Sequence, residues 1–155
     1  MKLGDVIRKE RERKSLSVTD VASRLGLAAD VYEVVEGGTS PIEEWAPKLA
    51  EIAIKLSTPT SRLISETGKS AQAAQTNGQC GLLVKIHRER RGLSREQLAG
   101  QLGWQVEEIA SIENGGSPLE QYAPLVLRFA EMVDQPIFNL FYPCGLPFRE
   151  LNDYP

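Results

Sequence analysis

The chain holds a single histidine, His87, and nothing around it that would complete a nucleophile–base pair. His87 stands on the polar side of an expected helix beside Arg88 and reads as solvated. Glycines fall at turns and helix ends rather than in a run that cradles phosphate. An enzyme is therefore excluded, and neither cofactor nor metal is expected. Cysteine is scarce as well: Cys80 and Cys144 are the only two, and they lack metal-ligand spacing. They read as reduced, incidental thiols of a cytoplasmic protein, with a disulfide or redox switch as the competing reading. No apolar run is long enough to cross a bilayer, and the first residues make no signal-peptide pattern. No membrane role is expected. An excess of positive charge is missing too. The formal net charge is −3, a poor start for holding a polyanion.

What is present is a repeat. Arg11 to Gly38, RERKSLSVTDVASRLGLAADVYEVVEGG, echoes Arg88 to Gly115, RERRGLSREQLAGQLGWQVEEIASIENG, at an offset of 77 residues without a gap. The same offset carries Gly4 onto Gly81, Pro41 onto Pro118, Pro47 onto Pro124, Pro59 onto Pro136 and Leu63 onto Leu140. Such register marks an internal duplication. It divides the chain into a first copy (1–66), a linker (67–79), a second copy (80–142) and a tail (143–155). Each copy is a small domain of about 60 residues, a size that buries only roughly 60% of its unfolded surface and gains from packing against something.

Periodicity makes both copies all-α. In the first, Leu3, Val6 and Ile7 give a helix over Leu3 to Lys14. Ser17 caps a second helix, with Val21, Ala22 and Leu25 inward, and Gly26 supplies the turn. A third, Ala28 to Glu36, has Val31, Tyr32 and Val35 as its apolar face. Ser40-Pro41-Ile42-Glu43 reads as a capping box opening a fourth helix, which Pro47 should kink or split. A short last helix starts near Pro59. The second copy repeats this plan with a full box at Ser94-Arg95-Glu96-Gln97, where the first has Ser17-Val18-Thr19-Asp20. Thr67 to Gln79 lacks apolar periodicity and reads as a flexible tether, spanning roughly 20 Å and at most about 45 Å. The second copy also carries extra apolar surface at Leu82, Ile86, Phe138, Phe141 and Tyr142. These are interface candidates between copies or chains, unless the tail, with Leu146, Phe148, Leu151 and Tyr154, covers them.

Leu93, Ser94, Leu98, Ala99, Leu102, Gly103, Ile109, Ile112, Glu113 and Asn114 form one motif. Leu16, Ser17, Val21, Ala22, Leu25, Gly26, Tyr32, Val35 and Glu36 form its echo. By these residues the chain resembles, twice over, the phage-repressor-like helix-turn-helix family, also called the xenobiotic-response-element (XRE) type. The resemblance implies two tandem five-helix domains whose third helix enters the DNA major groove. It also implies ion pairs between the first and third helices, Arg11 with Glu36 and Arg88 with Glu113; an arginine contact to phosphate is the alternative.

The copies differ where such proteins touch DNA. Val18, Ala28, Ala29, Asp30, Glu33 and Val34 offer neither donors nor cations, and Glu43 and Glu44 follow. The second copy keeps Arg95, Gln105, Ser111 and Asn114, with Arg90 and Arg91 nearby and Glu107 and Glu108 opposing. Arg95 could instead pair with Glu96 or another acid, and Gln105 could simply cap its helix. Two functions stand. One is a DNA-binding transcriptional regulator of double-stranded DNA, weak and salt-dependent, read by the second copy with the first degenerate. The other is a protein–protein interaction module that has lost DNA binding. Half-sites about 34 Å apart would need a packed interface between copies or a homodimer.

Overall fold

The computed structural model describes residues 1–73 and 77–144, for Tyr142 the backbone alone. Every regular element among them is helical. The first copy contributes α1 (Leu3–Arg13), α2 (Val18–Leu25), α3 (Ala29–Glu36) and α4 (Ile42–Lys55), then a 3-10 turn at Thr60–Leu63. The second contributes α5 (Gln79–Arg90), α6 (Arg95–Leu102), α7 (Val106–Glu113), α8 (Leu119–Met132) and α9 (Ile137–Phe141). The last helix expected in the first copy is thus only a 3-10 turn. Four residues cannot sustain a helical ladder, and such short pieces tighten to i→i+3 bonding.

Local chemistry sets the helix ends. Ser94 Oγ accepts from the Gln97 amide at 3.0 Å, and Gln97 Oε1 accepts from the Ser94 amide at 2.8 Å. The first copy closes the same box: Asp20 N–H donates to Ser17 Oγ at 3.0 Å, and the Asp20 carboxylate accepts from Ser17 N–H at 3.3 Å. Both copies are therefore fully boxed, a correction to the contrast drawn from sequence.

The Ser-Pro boxes are corrected further. Ser40 and Ser117 do accept from Ile42 and Leu119 amides. Glu43, however, does not turn back to Ser40. Its carboxylate accepts from the Leu3 and Gly4 amides at 2.9 and 2.7 Å, and Glu120 does the same for Cys80 and Gly81 at 3.2 and 2.8 Å. A carboxylate is most favourable against the unpaired amides opening a helix. Gly4 and Gly81 let the first helix of each copy come close: a Cβ on either would strike the carbonyls ending α3 or α7. Pro47 and Pro124 lie inside continuous helices, so neither splits its helix. Val31, expected inward, is 49% exposed, and Tyr32 and Val35, with Glu36, make the buried face of α3.

The copies grip each other. α4 packs along α8, α4 also meets α6, and α8 meets α2. The closing segments cross over: α9 lies against α1, and the Thr60–Leu63 turn lies against α5. The α4–α8 pairing maps onto itself under the repeat offset and the others occur twice, which is the signature of an approximate two-fold. Lys14 Nζ donates to the Asp134 carboxylate at 2.7 Å, and its counterpart Arg91 donates to Ser57 O at 2.9 Å. Lys48 of α4 lies over Trp45 and Trp104, 4.4 and 5.6 Å from the ring centroids, and bonds Glu44 and Glu108. One apolar core runs through both copies.

Phe138 and Phe141 are buried on α9, Ile86 is half-buried and Leu82 is 52% exposed. The side chain of Tyr142 lies outside the described residues. Of the expected tether, Ser70–Gln72 forms a 3-10 turn against α8, where the Ser70 amide and hydroxyl both donate to Glu131, and Ala73 is buried. Over that stretch the chain is bonded rather than loose. The tail beyond Cys144, with Leu146, Phe148, Leu151 and Tyr154, lies outside the described residues.

A shared core predicts shared unfolding. Phe141→Ala should cost roughly 3–5 kcal/mol, as for other buried phenylalanines. Urea curves read from Trp45 and from Trp104 in single-tryptophan variants should shift together. Two separate transitions would contradict the shared core.

Candidate nucleic-acid interface

The second copy builds its site on α6, a tight turn and α7. Ser94 fixes where α6 begins, and Gly103, with φ 73°, ends it in the left-handed region that favours glycine. Leu98, Ala99, Ile109 and Ile112 are buried between the two helices and the core, which sets their angle. This leaves the opposite surface outward. Gln105, Glu107, Ser111 and Asn114 are exposed there. Gln105 occupies the N-cap position of α7, yet its side chain makes no capping bond. It remains available as a donor.

Behind this face stands a buried charge cluster. Arg88 reaches from α5 with Nε 2.6 Å from Glu113 Oε2 and Nη2 3.0 Å from Oε1, and its Nη1 donates to Leu93 O at 2.7 Å. Glu113 has a side chain 0% exposed. Arg95 also arrives: its Nε donates to Glu113 Oε1 at 3.0 Å. Neither Glu96 nor solvent alone claims Arg95, whose side chain is 36% exposed. The sequence treated Arg95 and Glu113 as separate features, and the fold joins them. Burial pushes the Glu113 carboxyl up, but hydrogen bonds from Arg88 and Arg95, and their charges, leave it below its ordinary value of 4.5.

The first copy holds the matching pair alone. Arg11 Nε lies 2.6 Å from Glu36 Oε2, Nη2 3.1 Å from Oε1, and Nη1 donates to Leu16 O at 2.9 Å. Val18 replaces Arg95, so no second cation arrives. The outer face of α3 shows Asp30, Val31, Glu33 and Val34 to solvent. Glu43 has left that surface to cap α1, and Glu44 pairs with Lys48 at 3.1 Å. On α7, Glu108 is likewise engaged by Lys48 at 3.3 Å, which partly offsets one of the two acids expected to oppose a polyanion. The Trp104–Lys48 contact at the helix-turn-helix turn had no signal within either repeat alone, because it joins residues of different copies.

Comparison with known proteins bears on this segment. Residues 79–135 match the model of a helix-turn-helix domain family. The match runs from the start of α5 past the end of α8. No similar curated protein and no similar solved structure was found. Among the described residues, no group of His, Cys, Asp and Glu could hold a metal ion, and no helix is long and apolar enough to cross a membrane. Cys80 and Cys144 are free; burial pushes the Cys80 thiol well above its ordinary range, which makes it unreactive.

Glu113→Gln should leave Arg88 buried with no anion and cost about 3–5 kcal/mol. The sign of the pH effect follows from linkage. A carboxyl whose folded pKa is depressed adds stability that is full above its unfolded value near 4.5 and is lost as pH falls through the folded value. The stability gap between wild type and Glu113→Gln should therefore be largest at neutral pH and shrink below about pH 4.5. Denaturant titrations at pH 7 and in that acid range would check it.

Proposed function

We propose that the chain is a DNA-binding transcriptional regulator of the XRE helix-turn-helix type, in which the second copy reads the duplex. The observation that carries this is the outward face of α6 and α7: Gln105, Ser111 and Asn114 stand exposed on a segment that matches a helix-turn-helix domain. With α7 in a major groove, amide and hydroxyl side chains can donate to base edges and phosphates. Arg95 acts beside them. Its bond to Glu113 uses Nε and leaves the terminal amino groups for a phosphate at the start of α6. Glu113 thus holds the guanidinium in place.

Affinity is expected to be weak and steeply salt-dependent, because the face carries few cations and Glu107 opposes. The first copy supports rather than reads. Its α3 shows Asp30 and Glu33 to solvent, and no cation stands at Val18. The same α3 favours a second reading, a protein–protein interaction module, because Val31 and Val34 are 49% and 47% exposed side by side with those acids. An apolar ridge on a helix that reads nothing suits a protein partner better than DNA. Either reading suits a cytoplasmic protein, and a homodimer would present two reading helices.

Titration of random and genomic duplex at low salt separates the two. Arg95→Gln should weaken duplex binding about tenfold, the scale of one good polar contact, with the fold intact because Arg88 still neutralises Glu113. Asp30→Lys should leave binding unchanged or strengthen it. Normal folding with no duplex binding at any salt would replace the DNA reading with the interaction module.

A further inference from the structure

The two-fold seam has two ends, and they are not alike. At one end, α1 meets α9. There Asp134 accepts from Lys14 at 2.7 Å, Glu10 accepts from Arg13 at 2.7 Å, and Phe138 of α9 is buried. At the other end, α5 meets the Thr60–Leu63 turn, and the acids and the phenylalanine are exchanged. Ser57 stands for Asp134, His87 for Glu10, Ser61 for Phe138 and Arg62 for Asn139. The acids are gone and so is the filling side chain. The cations remain: Arg90 and Arg91 occupy the places of Arg13 and Lys14.

The result is an open cleft of about 610 Å³ lined by Arg62, Lys69, His87, Arg90 and Arg91, with no carboxylate in its wall. Among the described residues, none of its arginines or its lysine has a carboxylate ion pair; Arg91 donates to Ser57 O alone. Glu131 and Asp134 lie in the adjoining groove beyond Lys69, but Ser70 bonds the first and Lys14 the second. The field in the cleft registers on its histidine. Burial, then Arg90, Arg62 and Arg91, hold the His87 imidazole below its ordinary value of 6.5.

Like charges gathered around a hollow raise the positive potential there and favour an anion in it. The volume falls within the roughly 300–1,000 Å³ that small ligands occupy, and it exceeds what a bare phosphate needs. Ser57, Ser61 and Thr67 line the same wall and can bond a polar body. We propose that this cleft is an effector site for a small phosphorylated molecule, a phosphomonoester or diphosphate with a hydroxyl-bearing body. Both copies and the segment joining them supply it, Arg62 from the first, Lys69 from the linker, and His87, Arg90 and Arg91 from the second. A ligand there bridges the seam and stiffens the relation between the copies.

The lone histidine makes the test direct, since one imidazole signal in the NMR spectrum reports the cleft. Inorganic pyrophosphate and adenosine monophosphate are titrated into the full chain at constant ionic strength. Saturable one-to-one binding, with the His87 signal moving and its pKa rising, is the expected result. Arg62→Gln with Lys69→Gln, two exposed changes checked by circular dichroism, should weaken binding at least tenfold. Arg24→Gln, an exposed change on α2 outside the cleft wall, should not. Absence of a saturable His87 response, or equal loss in Arg24→Gln, would overturn the proposal. So would displacement of pyrophosphate by duplex DNA together with equal loss of duplex affinity in the Arg62/Lys69 variant. That outcome would make the cleft part of a nucleic-acid surface. The helix-turn-helix reading stands or falls separately, on Arg95→Gln.

Discussion

The structure depends on the crossing of its closing segments. Each copy ends by lying on the first helix of the other, α9 on α1 and the Thr60–Leu63 turn on α5. A domain of about 60 residues has too little interior to be comfortable alone, and here neither copy completes its own covering. The fused core lets the copies diverge without losing a scaffold. Residues that a lone domain would need for its own stability can be altered when the twin supplies packing. That is the physical setting in which α3 and α7 can carry different outward side chains.

One carboxylate after another is engaged by a partner, within a copy or between the two. Glu43 and Glu120 cap the first helices, Glu36 and Glu113 bind the arginines of those helices, and Glu44 and Glu108 hold Lys48. The ion-paired acids each cancel a cation and leave the net charge unchanged, whereas Glu43 and Glu120 turn onto helix amides. On α3, Asp30 and Glu33 are exposed. Charge counting alone cannot separate those two from the rest. Position can.

Much of this was legible beforehand, and what was not has physical causes. The helices follow from apolar spacing and serine caps, whereas the Arg11–Glu36 and Arg88–Glu113 pairs are an expectation of the family resemblance rather than of any spacing rule. Glu43 was read as closing a box with Ser40 because the motif is local, whereas its true targets lie some forty residues back in sequence at Leu3 and Gly4. Val31 fits an inward position by spacing because an apolar residue on a short helix suits two faces about equally, and the packing of α3 against α1 and α2 decides between them. Arg95 and Glu113 share a bond that crosses from α6 to the end of α7, so no spacing rule within one helix could reveal it. The closeness of the copies was the largest gap. A tether of known length limits a distance but does not choose a packing.

The asymmetry of the seam shows how a duplication can create a site without inventing one. Symmetry would give two identical ends, each with a lysine or arginine pair, an acid and a filler. Changing Asp134 to its Ser57 counterpart removes a partner charge, and changing Phe138 to its Ser61 counterpart removes a filler. Either alone would be a defect: an unneutralised cation in a filled gap, or an empty gap between paired charges. Together they make a hollow with a positive wall, which has a chemical complement. The repeat thus supplies its own comparison, since one end keeps acids against its cations and the other does not. The residues held in common, Pro59 with Pro136 and Arg90 with Arg13, keep the scaffold, and those that differ carry whatever is specific to the cleft.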